Sequence, residues 1–148
     1  MNLSLEEIIK LLENLKPETP PIWGKMTAQH MLEHLVFSVR ISNAKLKVNC
    51  FIPIERWTTM KKVLESNRPL PKNFINPIIG ENLIPLEFKN IDESLSGLRK
   101  EFSDFIKYFT DNPGAVLVNP TFGELNFEEW KIFHHKHFTH HCLQFGLL

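Results

Sequence analysis

Apolar residues recur at steps of three and four in separated stretches of the chain, and polar or proline-rich breaks divide those stretches. Ile8, Leu11, Leu12 and Leu15 make the first. Ser4 with Glu7 has the form of a capping box, and Pro17-Glu-Thr-Pro-Pro21 closes the segment, so the spacing predicts a helix over residues 4–16. Thr27 is placed to cap a second helix over 27–44, with Met31, His34, Leu35, Ser38 and Ile41 along one side. A shorter helical pattern runs from Ile54 to about Ser66 through Trp57, Met60, Lys61 and Leu64. Residues 91–110 carry the cleanest amphipathic pattern, with Ile91, Leu95, Leu98, Phe102, Phe105, Ile106 and Phe109, opened by Asn90 or Asp92 and closed by Asp111-Asn-Pro-Gly114. Asn126 with Glu129 then opens a last helix over 127–146.

The connections are as informative as the helices. Residues 67–89 hold prolines at 69, 71, 77 and 85 together with Gly80, and read as irregular chain. So long a loop in a small domain fits a crossover that also walls a pocket. Ala115-Val-Leu-Val118 has the composition of a short strand but reads more readily as an extended linker, because no convincing partner strand is evident elsewhere in the chain. The expected fold is therefore all-α: a four-helix bundle with a long crossover between helices two and three that contains a short extra helix. At 148 residues it forms one domain, 1–148, able to bury a core without staples.

Histidine placement changes this picture from scaffold to site. Of seven histidines, five fall between His134 and His141, and the other two are His30 and His34. On a helix His134, His137 and His141 lie within roughly 60° of one another, on the stripe of Trp130, Phe133, Gln144 and Phe145. His135 faces away and His140 flanks the stripe. His137 and His141, one turn apart, can aim two imidazoles at one point, as two metal ligands on one helix do. Hydrogen-bonded core histidines or a solvated face would give the same spacing. A bundle of the expected plan brings His34, on the apolar side of helix two, toward that pair.

Composition narrows the function classes. Lysines plus arginines number 17, as do aspartates plus glutamates, and no basic run is interleaved with aromatics, so a nucleic-acid partner is not expected. Cys50 and Cys142 form neither a disulfide framework nor a CxxC site, which fits a reducing compartment. No stretch approaches about 18 apolar residues and the start lacks the features of a signal peptide, so no membrane association is expected and a cytoplasmic location is the default. Twelve phenylalanines and three tryptophans imply a bulky core, with Trp23, Trp57 and Trp130 as members. Cys142 reads as a small buried hydrophobe. His134, His135 and His140 read as surface residues or as neighbours of a ligand.

Two short stretches resemble the DinB-like superfamily, which includes YfiT-like metal-dependent hydrolases. Met26-Thr-Ala-Gln-His-Met-Leu-Glu-His-Leu35 is similar to its helix-two signature, and His137-Phe-Thr-His-His-Cys-Leu-Gln144 to its H-x-x-H-H-x-x-Q signature. Asn119-Pro-Thr-Phe-Gly-Glu-Leu before Phe127-Glu-Glu-Trp130 is similar to a branch of that superfamily known only as a domain of unknown function. The family commonly opens the first signature with Trp-Ser; here Met26-Thr27 takes that place and Trp23 lies three residues earlier. The resemblance implies His34, His137 and His141 as metal ligands.

Three imidazoles leave a coordination position open, the arrangement of a catalytic site, and they suit a borderline divalent ion such as zinc or nickel. Relatives in the superfamily include transferases and isomerases that act with low-molecular-weight thiols. The leading expectation is a metal-dependent hydrolase or thiol-dependent transferase with a small-molecule substrate, in which Gln144 orients a ligand or the substrate. Catalytic residues beyond the ligands are not identified, and a homodimer is the expected assembly on the general frequency of twofold pairs. Two other readings stand beside it. One is a non-catalytic helical bundle or binding module. The other is a zinc peptidase in which His30-Met-Leu-Glu-His34 serves as an HxxEH motif, with Glu33 as general base and Glu101 as third ligand.

Overall fold

The computed structural model describes residues 2–72 and 83–148. These residues are mainly α-helical, with five α-helices and one two-stranded sheet among them. Helix α1 (Leu5–Leu11) starts on the capping box its sequence suggested: Ser4 Oγ accepts from the Glu7 amide at 3.2 Å and Glu7 Oε2 from the Ser4 amide at 2.7 Å. The helix tightens into one 3₁₀ turn, Leu12–Asn14, before the prolines. Its apolar side, Ile8, Ile9 and Leu12, packs along the last helix.

Helix α2 (Ala28–Ser42) is the central element, with Met31, Leu32, Leu35, Val36 and Val39 all buried. Thr27 Oγ1 caps it by accepting from the His30 amide. It ends at Asn43, followed by Ala44 in the left-handed region at φ 67°. After a 3₁₀ turn at Ile54–Arg56 comes α3 (Trp57–Glu65), and after the crossover α4 (Ile91–Asp111), whose N-terminus is capped by Asn90 Oδ1. Of the proline-rich crossover, residues 73–82 lie outside the described residues, and Pro77 and Gly80 with them. Its far end is tied back to α2, because the Glu33 carboxylate accepts from the amides of Glu87 (2.6 Å) and Phe88 (3.1 Å).

Helices α2 and α4 make the most extensive helix pair. Beside their apolar contact lies a polar knot: the buried Glu101 carboxylate takes hydrogen bonds from Arg40 Nε (2.7 Å), Lys45 Nζ (2.6 Å) and Asn43 Nδ2 (3.1 Å). Burial pushes its pKa up, but the bonds from Arg40, Lys45 and Asn43 together hold it below the ordinary carboxylate value.

The segment after α4 differs from expectation. Strand β1 (Leu117–Asn119) pairs antiparallel with β2 (Gly123–Leu125), in the register Leu117 to Leu125, Val118 to Glu124 and Asn119 to Gly123. The extended linker is thus half of a hairpin, and its partner is the stretch immediately downstream. Asn119 Oδ1 makes the turn by accepting from the amides of Thr121 (2.9 Å) and Phe122 (3.1 Å). The Asn-Pro-Thr-Phe-Gly run carried that turn signal.

Helix α5 (Phe127–Gln144) follows directly, with the Asn126 and Glu129 capping box formed in both directions. It buries Trp130, His134, His137, Phe138, His141 and Cys142, and so meets protein on several sides. Among the described residues no helix is long and apolar enough to cross a membrane.

Candidate metal centre

Helix α2 brings half-buried His34 against buried His137 and His141 of α5. His137 Nε2 stands 2.8 Å from His34 Nε2 and 3.1 Å from His141 Nε2. The three ring pairs have centroids 4.8, 4.9 and 4.8 Å apart and lie 69° to 81° from coplanar, so each pair meets in a T-shaped arrangement. Two nitrogens bound at about 2.0–2.1 Å to one ion stand roughly 2.9–3.4 Å apart at angles of 90° to 110°. The two spacings at His137 are close to that range, and all three ligand nitrogens lie within 4.8 Å of one another.

Proton placement supports the same donor set. Gln144 Nε2 donates to the Trp23 carbonyl (2.9 Å), which turns Gln144 Oε1 toward His141 Nδ1 at 2.7 Å. An amide oxygen only accepts, so Nδ1 carries the proton and His141 Nε2 presents a lone pair to the cluster. A single proton on His137 Nε2 cannot satisfy both of its short contacts. Adding further protons is opposed: burial lowers His137 and His141 well below the ordinary histidine value, and burial with nearby His140 lowers His34 to about 4. Three neutral imidazoles with convergent nitrogens are the ligand set a borderline divalent cation takes. His34 Nδ1 and His137 Nδ1 are buried with no hydrogen-bond partner among the described residues.

The backbone around Trp23 is shaped for the Gln144 contact. Gly24 has φ 82°, and a Cβ there would stand 2.8 Å from Gln144 Nε2. A side chain would meet both backbone strain and the amide.

The remaining histidines have other tasks. His134, expected at the surface or beside a ligand, is fully buried in the aromatic core, stacked on Trp130 with centroids 5.4 Å apart and edge-on to Phe105 at 5.2 Å. Ser42 Oγ donates to the Val39 carbonyl, so it accepts from His134 Nε2 at 2.7 Å. Burial pushes the His134 pKa down to about 3. It shares the stripe of His137 and His141, but it lies too near the helix start to reach their meeting point. His135 Nε2 bonds the Leu3 carbonyl at 2.8 Å and ties down the N-terminal segment. His140 flanks the centre, edge-on to His141 at 4.9 Å and to Trp23 at 5.5 Å.

The HxxEH reading does not assemble. His30 Nδ1 faces Thr27 Oγ1 at 2.6 Å at the start of α2, outside the cluster, and Glu33 is engaged by the crossover amides. Glu101, the third ligand in that scheme, is held by Arg40 and Lys45.

A cavity of about 610 Å³ opens beside the cluster, walled by Phe37, Ile41, Met60, Phe122 and Phe133 with Trp23 at its side. Sequence reasoning placed Trp23 and Trp57 in the core; both are half-buried, and only Trp130 of the three is fully enclosed. The role of Asn119 in the wall was also missed, since it depends on the hairpin. Cys142 is buried, as its reading as a small hydrophobe requires.

No protein-family model matches the chain, and no curated protein and no solved structure matches it.

Proposed function

We propose that this chain is a DinB-like four-helix bundle built from α1, α2, α4 and α5, with α3 in the crossover, and that it holds one divalent ion, zinc or nickel, on His34, His137 and His141. In this reading it is a hydrolase or a thiol-dependent transferase that acts on a small molecule in the adjoining cavity. The observation that carries the reading is the convergence of three imidazoles from two helices, with His137 Nε2 2.8 Å and 3.1 Å from its two neighbours. An ion held there supplies Lewis acidity, which turns water or a thiol into a nucleophile at neutral pH. Gln144 fixes the tautomer of His141 and aims its ring. The aromatic wall limits water around the reacting end of a substrate and strengthens electrostatic interactions within.

Metal content, measured by mass spectrometry on protein purified without a histidine tag, tests the reading. One ion per chain, removed by chelator, is expected. His34→Ala, His137→Ala and His141→Ala each lose it, while His30→Ala keeps it. A wild-type chain that takes up no zinc or nickel from a stoichiometric supply overturns the metal reading and leaves a helical binding module. Loss of metal in His30→Ala with retention in His137→Ala would instead restore the peptidase scheme.

A further inference from the structure

Among the described residues the charge around the cavity is one-sided, although the chain is balanced. Its described lining residues include Lys25, Arg68, Lys72 and Lys136 and no carboxylate, in a sequence with 17 basic and 17 acidic residues. Among the described residues none of these four cations pairs with a carboxylate. Lys136 is fixed by two neutral acceptors, the carbonyls of Ser66 (2.6 Å) and Arg68 (2.9 Å), so its charge is positioned without a carboxylate partner among the described residues. Lys72 Nζ stands 4.9 Å over the Trp23 ring. Of the acids on neighbouring elements, Glu33 is held by the crossover amides, Glu101 by Arg40 and Lys45, and Glu129 by its capping box and Lys61, while Glu65 of α3 and Glu124 of β2 are not among the lining residues.

The neutral polar groups tell the same way. Asn119 is fully buried and its oxygen is spent on the hairpin turn, while among the described residues neither its Nδ2 nor Trp23 Nε1 has a partner. Both residues line the cavity, and both offer only a donor. An enclosure with apolar walls, unspent donors and uncompensated cations complements an acceptor-rich, negatively charged ligand with a hydrophobic body.

We propose that the cavity selects small organic anions of this kind, a carboxylate drawn by Lys25, Lys72 and the Asn119 amide and an apolar body lying on Phe37, Met60 and Phe133. The inference deepens the reading above and rests on it only for the location of the reacting end. Because a bound ion also attracts carboxylates, the selectivity is tested with and without one.

The probes are 4-phenylbutyrate, its amide and 4-phenylbutylamine, titrated by NMR into untagged full-length protein that is either chelator-treated or zinc-loaded. In the metal-free protein the acid binds about tenfold tighter than the amide, and the amine more weakly still. The preference shrinks as salt rises from about 0.05 M to about 0.5 M. Lys25→Gln with Lys72→Gln, both exposed positions, lowers the acid-to-amide ratio by at least about threefold in both forms. Asn119→Asp keeps the oxygen that accepts from Thr121 and Phe122 and weakens the acid selectively. Equal binding of acid and amide by the metal-free protein, or no binding of any probe, overturns the proposal. An anion preference in a chain that takes up no zinc would leave this inference standing and remove the metal reading; zinc uptake without the preference would do the reverse.

Discussion

Replacing Gln144 by leucine separates the tautomer-fixing role of this side chain from its structural one. The residue is buried, accepts from His141 Nδ1 at 2.7 Å and donates to the Trp23 carbonyl at 2.9 Å. Leucine is similar in bulk, so packing changes little. What is lost is the acceptor that keeps the proton on Nδ1, and with it the bias that leaves Nε2 free. Groups in this position are worth about 10- to 100-fold in metal affinity, or roughly 1.4–2.8 kcal/mol. The buried N–H and carbonyl left unpaired also destabilise the metal-free fold, by about 1–3 kcal/mol each. Gln144→Glu retains an acceptor for Nδ1 but sets a carboxylate against the Trp23 carbonyl. It should keep or raise zinc affinity while lowering stability. Zinc competition against a chromophoric chelator reads the first quantity and urea unfolding of metal-free protein the second. If Gln144→Leu binds zinc as tightly as the wild type while unfolding more easily, the contact only packs the helix end.

His134 gives a pH test. Its folded pKa, about 3, lies below the ordinary 6.5, so the unfolded chain takes up the proton first. Its contribution is complete above about pH 6.5 and is lost as pH falls toward 3, at about 1.4 kcal/mol per pH unit. His134→Phe, in an aromatic site where Ser42 keeps its bond to Val39, should flatten the acid limb of chemical stability by that slope and leave metal content unchanged. An unaltered limb would show that His134 does not titrate on unfolding. Ala44, at φ 67° just past the end of α2, pays for a left-handed backbone. Ala44→Gly should raise stability by about 0.5–1 kcal/mol in urea unfolding, and a loss would mean that unfolded-state entropy outweighs the strain.

Local signals set the helix ends. The caps at Ser4, Thr27, Asn90 and Asn126 were legible because each side chain bonds an amide within three residues, a contact that needs no tertiary partner. The same locality put His137 and His141 on one face. Helical periodicity fixed the interior of the long helices. The hairpin was missed because strand pairing needs two segments at once, and neither three-residue strand carries a repeat of its own.

The sequence by itself determined which stretches are helical and which imidazoles share a turn, since both follow from spacing along one chain. Only the tertiary structure decided that His34 of α2 lies 2.8 Å from His137 while His134, on the same stripe, is sealed among Trp130 and Phe105. Periodicity assigns a side chain a direction about its own axis. What it meets there depends on where a second helix crosses, and that is set by the packing of apolar surfaces far apart in sequence.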